Sequence, residues 1–348
     1  MNKQKRIIAI VLALSVIFGG FSLDTQVGDF RRTAEGYAEI VVRYLKSVFE
    51  PRIYSDYNKL SKIPETENGY VPQGHCFSQE HNIHFISYYH SSLCSIITLV
   101  DASSGEKIKT VMLEKDGKAF TGHAGGVAED GEYFYLSDGN GFYRLPLKDL
   151  IEANDGGQLA LKNKILTDVK CSYLNCDGEY IYAGEFYTFT TDGKYDTDKA
   201  HHRAISVFES SYSFCNVYSV SDLKNYNFNG GEIAVPKMIF ATPNCVQGFA
   251  RNAQGDYVLS ISYGRNNNSS LAFYENVACG ESDFDVKYGS ETVPAYYLDD
   301  SSKKANLRQP PLLEGIDDMN GKITGIFESC AEKYSDSAFV VDTICNFE

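Results

Sequence analysis

The sequence predicts an all-β protein: a β-propeller with five blades and one N-terminal helix. Three observations lead to this prediction: a large supply of strand-forming aromatic residues, a turn-and-strand motif that recurs along the chain, and a second repeat around two of those motifs. The chain has 348 residues, with 25 Tyr, 21 Phe and no Trp. Tyr and Phe favour strands, and all-β propellers of this length often form one domain.

Composition and charge narrow the class of protein. Apolar residues make up 43% of the chain and charged residues 22%, which is typical of a globular protein. The chain carries 46 Asp and Glu against 32 Lys and Arg, so its formal net charge is −14. Such a charge repels phosphate backbones and the basic residues do not cluster, so we do not expect nucleic acid as a partner.

The N-terminus is typical of an exported protein. Basic residues precede an uncharged, almost wholly apolar run over residues 7–23. This layout predicts a signal peptide over residues 1–22; an uncleaved membrane anchor is the alternative, although the run is slightly short for a span. In either case we expect the folded part to be secreted or at the cell surface. Membrane contact is expected only through this segment, and the protein is expected to be a monomer.

Residues 23–69 are predicted to hold the one clear helix and a segment that closes the propeller. The helix spans residues 33–49 and ends before Pro51. Its apolar side chains recur at helical spacing and form one stripe: Tyr37, Ile40, Val41, Tyr44, Leu45 and Val48. The propeller itself is expected over residues 70–348.

A turn-and-strand motif recurs after residue 70. Residues 130–135 read Asp-Gly-Glu-Tyr-Phe-Tyr, and residues 177–182 read Asp-Gly-Glu-Tyr-Ile-Tyr. Each copy is an Asp-Gly turn followed by a strand with alternating aromatic residues. Weaker copies lie at residues 81–86, 254–259 and 320–325.

A second repeat surrounds two of these motifs. Gln73-Gly74 precedes Ile86-Ser87-Tyr88, and Gln247-Gly248 precedes Ile261-Ser262-Tyr263 with one residue inserted. Repeats of about 40 to 70 residues that are built only of strands predict propeller blades.

The repeats set the expected blades. They are placed at residues 70–117, 118–165, 166–243, 244–312 and 313–348, with polar insertions at 190–202 and 278–291. The last blade is too short for four strands, so residues 52–60 are expected to supply its outer strand and remove the exposed edge. Six blades are the alternative, with residues 210–243 in a separate blade.

No cofactor or metal site is predicted. The nine Cys show neither a C-x-x-C pair nor a zinc-ligand spacing with His, and no glycine motif for phosphate or dinucleotide binding is present. We interpret most cysteines as small buried side chains. Export would permit one or two disulfides, with an odd cysteine left over.

Several short motifs resemble a group of secreted bacterial propeller proteins. They are Pro72-Gln73-Gly74, His123-Ala124-Gly125-Gly126, Gln247-Gly248, Leu313-Glu314-Gly315 and Ile326-Phe327-Glu328-Ser329. The similarity covers most of the chain from residue 70. It implies the fold and an exported location, and it implies no reaction.

Propeller topology predicts which side chains meet at one end of the channel. The first strand of each blade starts where the second strand ends, because the two are antiparallel neighbours. Residues before strand one and after strand two therefore gather at one mouth. The rule selects ligand-binding candidates, which are Gln73, His75, Tyr88, Asp138, Glu185, Gln247, Tyr263 and Arg265.

The same rule places three candidates for catalysis at the mouth. Glu314 and Glu328 could act as acid and base on a glycan, and His123 could act as a general base. We interpret the mouth as a site for a carbohydrate or another polar small molecule. The alternatives are a hydrolase of a glycan or lactone, a scaffold that binds another protein, and side chains that only hold neighbouring blades together.

Overall fold

The repeated motif forms its turn through its own aspartate. Asp130 Oδ1 accepts hydrogen bonds from the backbone N–H groups of Glu132 and Tyr133, at 2.9 and 2.7 Å. Its other oxygen accepts a 2.8 Å bond from the hydroxyl of Tyr135. Gly131 has a φ of 84°, which glycine adopts without strain. The copy at residues 177–182 makes the same set of bonds.

The structure, a computed structural model, describes the backbone of residues 25–206 and 209–347, with side chains from residue 31 on. The predicted signal peptide or anchor over residues 1–22 lies outside these residues. The chain begins with α1 (Thr25–Phe49) and β1 (Tyr57–Lys62). The predicted propeller of five blades is confirmed.

Blades one and two occupy the first half of the propeller. Blade one contains β2 (Val71–Ser78), β3 (Ile83–Tyr89), β4 (Ile96–Asp101), β5 (Lys107–Lys115) and the short β6 (Lys118–Ala119). Blade two contains β7 (Val127–Glu129), β8 (Tyr133–Ser137), β9 (Gly141–Pro146), the helix α2 (Leu147–Glu152) and, after β10 (Gln158–Ala160), β11 (Lys164–Leu166). Strand β10 pairs in parallel with β5 and so extends blade one.

The remaining blades contain longer connections. Blade three contains β12 (Tyr173–Cys176), β13 (Tyr180–Gly184), the hairpin of β14 (Arg203–Ala204) and β15 (Ser210–Ser211), then β16 (Ser213–Ser219), α3 (Val220–Lys224) and β17 (Met238–Thr242). Blade four contains β18 (Val246–Arg251), β19 (Tyr257–Ile261), β20 (Ser269–Tyr274) and β23 (Lys303–Gln309). Between β20 and β23 the chain forms β21 (Phe284–Tyr288) and β22 (Glu291–Tyr297). Blade five contains β24 (Leu313–Met319), β25 (Lys322–Phe327) and β26 (Thr343–Phe347).

The ring closes between the two ends of the chain. Strand β1 pairs antiparallel with β26 and is the outer strand of blade five. The outer strand therefore comes from before residue 71, as the length of the last repeat requires, and it spans residues 57–62 rather than 52–60. Pairing the first strand with the last covers an edge that would otherwise be open.

Two expectations about blades three and four need correction. Residues 210–243 form β16 and β17 in one sheet with β12 and β13, so the alternative of a sixth blade is wrong. The insertion expected at 278–291 leads into the β21–β22 hairpin, and β22 pairs in parallel with β17. The insertion thus leaves blade four and extends blade three.

Glycines allow the innermost strands to pack around the channel. A Cβ atom at Gly126 would lie 2.2 Å from the backbone nitrogen of Leu174 in the next blade. One at Gly315 would lie 2.5 Å from the backbone nitrogen of His75. Only glycine permits this approach of neighbouring backbones.

The helix lies differently from what its apolar stripe leads one to expect. Tyr44 and Val48 are 61% and 54% exposed, whereas the polar side chains of α1 contact the propeller. No helix of the described residues is long and apolar enough to cross a membrane. All nine cysteines lie among the described residues and are free thiols, five of them buried.

Candidate functional site

One open cavity of about 880 Å³ lies at the predicted mouth. The structure brings most of the predicted site residues together on its wall. These are Gln73, His123, Asp138, Gln247, Tyr263, Arg265, Glu314 and Glu328. The mouth rule succeeds here because it depends only on the antiparallel order of strands within each blade.

Tyr88 does not reach the mouth. It is fully buried, and its hydroxyl lies 3.1 Å from that of Thr98. In the ladder Tyr88 faces Pro72 and Ile261 faces Val246, so Tyr88 corresponds to Ile261 and not to Tyr263. The alignment of the repeat is therefore two residues out of register, because the second copy has one residue fewer between the paired positions and not one more. The residue of β3 that lines the mouth is Tyr89.

His75 also lies away from the cavity. Its Nε2 is 3.0 Å from Nδ1 of His84, and both rings are buried between strands. Burial lowers the pKa of His84 to about 4 and holds that of His75 well below its usual value. The two histidines are therefore a neutral structural pair at physiological pH.

Glu185 sits behind the wall and anchors one of its loops. It is 1% exposed, and its oxygens accept bonds from the backbone N–H groups of Lys170 and Phe214, at 3.2 and 3.1 Å. Oε2 also lies 2.9 Å from Nδ1 of His201. Burial lowers the pKa of His201, but the contact with Glu185 outweighs it and raises that pKa overall. Glu185 thus fixes the insertion at 190–202.

Two glutamic acids and two glutamines form a continuous chain across the mouth. Gln73 donates to Glu328 at 2.5 Å, and Gln247 donates to Glu314 at 2.8 Å. The two carboxyl groups are hydrogen-bonded to each other. The repeated Gln-Gly pairs hold this chain from blades one and four, while both acids come from blade five.

The paired acids are held partly protonated. Glu314 and Glu328 are 3% and 7% exposed. Burial raises the pKa of Glu314 well above its usual value, and the adjacent Glu328 raises it further. Burial also raises the pKa of Glu328 to about 7, against the hydrogen bond from Gln73. Ionising both neighbouring carboxyl groups would place two negative charges side by side, which is costly. Glu314 therefore keeps its proton and donates a hydrogen bond to Glu328.

His123 lies flat against an aromatic ring on the wall. Its ring stacks on Tyr89 with 4.5 Å between centroids. Loss of hydration beside the neighbouring side chains lowers the pKa of His123 to about 4. The positive charges of Lys333 and Lys194 lower it further. His123 is therefore neutral near pH 7.

Cations project from two sides of the mouth. Lys333 donates to the Tyr89 hydroxyl at 2.6 Å, and Lys194 lies 4.7 Å above the ring of Tyr195. Neither lysine forms an ion pair with a carboxylate in the described part of the chain. Arg265, in contrast, is paired with Asp336 at the rim.

Sequence reasoning missed Tyr89, Lys194, Tyr195 and Lys333. Lys194 and Tyr195 belong to the polar insertion after β13, for which the sequence analysis predicts no place at the mouth. The end of β13 lies at the mouth, so a long loop there must pass over the cavity. The position of the insertion directly after β13 is therefore the feature of the sequence that indicates a loop over the cavity. Tyr195 packs edge-on to Tyr263 at 6.1 Å and extends an aromatic wall.

Asp138 stands at the rim and is already engaged. Its carboxylate lies 3.1 Å from Lys164 Nζ and accepts a 3.3 Å bond from the Tyr143 hydroxyl. Within the described residues, no group of three or more His, Cys, Asp or Glu side chains is arranged to hold a metal ion.

Comparisons with known proteins concern the architecture alone. No family model and no curated protein matches the chain. The PQQ-bound aldose sugar dehydrogenase of Streptomyces coelicolor is 14% identical, with a TM-score of 0.44 over 84% of this chain and 96% of that one. A glucose dehydrogenase-type oxidoreductase of Thermus thermophilus is 10% identical, with a TM-score of 0.41 over 84% and 99%. A tail fibre of a Staphylococcus aureus phage is 12% identical, with a TM-score of 0.43 over 82% and 52%.

Since all three TM-scores are below 0.5, no property of those proteins is carried over to this chain. The site has to be interpreted from its own residues.

Proposed function

We propose that the protein is an exported propeller that binds a carbohydrate or another polar small molecule at the channel mouth, with a preference for a ligand that carries an anionic group. The observation that carries the proposal is the composition of the cavity wall. Tyrosine rings, amide and carboxyl hydrogen-bonding groups, and lysines that have no carboxylate partner among the described residues line one space of about 880 Å³. Pockets for small ligands combine apolar faces with a few polar groups in this way.

The mouth lacks the acidic excess of the whole chain, because its wall carries four basic and four acidic side chains. The net charge of the protein is −14, yet Lys194 and Lys333 face the cavity without ion pairs in the described residues. The proton shared by Glu314 and Glu328 removes negative charge from the same wall. An anionic ligand would gain two favourable charges and meet little repulsion.

The hydroxyl groups of a sugar would find partners on the other wall. Glu314 and Glu328 offer carboxyl lone pairs, while each glutamine amide can donate and accept. The rings of Tyr263 and Tyr334 also line the cavity. Aromatic faces beside hydrogen-bonding groups match the apolar and hydroxyl-bearing sides of a sugar ring.

The hydrolase alternative through Glu314 and Glu328 has less support, because the two acids interact directly with each other. Glycosidases separate their two carboxyl groups by about 5 to 9.5 Å, so that a sugar or a water fits between them. Here the two groups are in hydrogen-bond contact. They are arranged to bind hydroxyl groups rather than to attack and protonate a glycosidic bond from two sides.

The test is calorimetric titration of the full chain with matched neutral and acidic sugars: glucose against glucuronate, and galactose against galacturonate. We expect the acidic member of a pair to bind more tightly. Lys333→Gln and Lys194→Gln should each weaken its binding about fivefold and leave the neutral sugar nearly unchanged.

Lys148→Gln is the matched control, because Lys148 is 75% exposed on α2 and does not line the mouth. Equal affinity for both members of each pair would remove the anionic preference but keep the sugar site. Absence of binding to every sugar and small acid tested would contradict the proposed function itself.

A further inference from the structure

The helix α1 turns its charged side towards the propeller. Arg32 forms a 2.6 Å ion pair with Asp196 in the loop beside the mouth. Glu35 accepts a 2.5 Å hydrogen bond from the Tyr212 hydroxyl. Further along the helix, the guanidinium of Arg43 lies 4.8 Å above the ring of Tyr263. These partners fix which side of the helix faces the protein.

The opposite side of α1 is apolar and faces outward. Tyr37, Tyr44 and Val48 are 51%, 61% and 54% exposed, and Phe49 is 58% exposed. Ile53, just beyond the helix, is 74% exposed. We name these five residues the outer stripe. From Tyr37 to Val48 the stripe is about 17 Å long at the rise of an α-helix.

This arrangement is the reverse of that in an ordinary surface helix. Amphipathic helices of globular proteins bury the apolar side and expose the charged side. A contiguous exposed apolar patch of this kind marks a surface that is covered by something else. The polar contacts of α1 exclude rotation of the stripe into the protein without loss of the Arg32 and Glu35 partners.

We propose that the outer stripe lies in the interfacial layer of a lipid bilayer. The argument for lipid is the chain itself, because the uncharged apolar run at residues 7–23 comes almost directly before α1. If that run remains in a membrane, the helix starts at the membrane surface. Tyrosine is enriched at this depth, where its ring is apolar and its hydroxyl is hydrated. Helices with one strongly polar and one apolar side lie in this layer.

A second copy of the chain fits the stripe less well. Each copy carries a net charge of −14, so two copies repel each other. A neutral lipid surface imposes no such repulsion. The proposal concerns a different surface from the mouth and does not depend on ligand binding there.

The test uses the absence of tryptophan from the chain, which makes one introduced indole a clean reporter. Full-length protein with Tyr44→Trp is reconstituted with phosphatidylcholine vesicles that carry brominated acyl chains, since bromine quenches indole at short range. The matched control is Ile108→Trp on blade one, where the side chain is 44% exposed. Both sites are exposed, so neither variant should lose its thermal transition.

We expect the indole at position 44 to be quenched at least about twice as strongly as the one at position 108. Equal quenching of the two, or none at either, would overturn the proposal. A blue shift at position 44 that appears without lipid and grows with protein concentration would identify a second copy as the occupant, and it would also overturn the proposal.

Discussion

The two ends of the channel are built from the same strands and differ in almost every other respect. At the mouth, long connections enclose about 880 Å³ with tyrosines and with two lysines that form no ion pair among the described residues. At the opposite end, the Asp-Gly turns between first and second strands enclose about 440 Å³. That second cavity is lined by the acidic side chains of the turns and by Arg251.

Acidic groups at the turn end already have partners, although Oδ2 of Asp318 has none among the described residues. Asp317 is buried and accepts bonds from the Phe77 backbone N–H at 2.7 Å and from Asn175 at 2.8 Å. Burial raises its pKa to about 7 against these bonds. Arg251 lies 3.1 Å from Asp177 in the neighbouring blade. The side chains of this end hold blades together.

The same repeated blade thus packs against its neighbours at one end of the channel and can bind a ligand at the other. Turns that repeat in sequence satisfy their own polar groups and leave little for a ligand. Connections that differ between blades carry Lys194 and Lys333, which form no ion pair in the part of the chain that the structure describes, and these lysines are available for binding. The following predictions address first the ring that both ends share, then each end separately.

The largest effect is expected from Gly126→Ala in the shared ring. The new Cβ would lie 2.2 Å from the Leu174 backbone nitrogen, so blades two and three must move apart. Loss of about 3 kcal/mol or more of the free energy of unfolding is expected in urea denaturation. Gly280→Ala is the control, because its nearest neighbouring atom would be 3.5 Å away. Similar stability of the two variants would show that the blades do not pack through Gly126.

A smaller effect is expected from Asp177→Ala at the turn end. This change leaves the Tyr182 hydroxyl and two backbone N–H groups without their acceptor and removes the partner of Arg251. We expect a loss of about 2 kcal/mol in unfolding free energy. Binding at the mouth should stay unchanged, measured by the titration described above.

Asp285→Ala is the control for that change, since Asp285 is exposed on β21 and should alter stability by less than about 0.5 kcal/mol. A loss of sugar binding in Asp177→Ala without a loss of stability would contradict the division of roles between the two ends.

The smallest effect concerns pH at the mouth. Glu328, with a pKa of about 7, is largely neutral below that pH and negative above it. Its charge repels an anionic ligand, so affinity for glucuronate should fall severalfold as pH rises from about 6 to 8. Affinity for glucose should change less. In Glu328→Gln the fall should disappear, and its persistence would assign the titration to another group.

Much of this protein was predictable because the signals are local. The Asp-Gly turns and the aromatic alternation after them specify hairpins within a few residues, and their repetition specifies blades. The position of Gln73, Gln247, Glu314 and Glu328 at one mouth follows from strand order alone. None of these inferences requires knowledge of which blade packs against which.

The sequence by itself thus determined the five-bladed ring and the end of it where most of the candidate site lies. The tertiary structure alone decided the details that depend on contacts far apart in the chain. The pairing of β3 with β2 sets the register that places Tyr89, and not Tyr88, at the mouth. The insertion that carries Lys194 is held over the mouth by Glu185 and Arg32, which lie on different elements.

The side of α1 that faces outward is decided in the same way. Periodicity identifies an apolar stripe but not what it faces, because a stripe records only which residues share a side. The ion pair of Arg32 with Asp196 and the bond of Glu35 with Tyr212 turn that stripe away from the protein. Those partners lie more than a hundred residues away in the chain, so only the folded ring brings them to the helix.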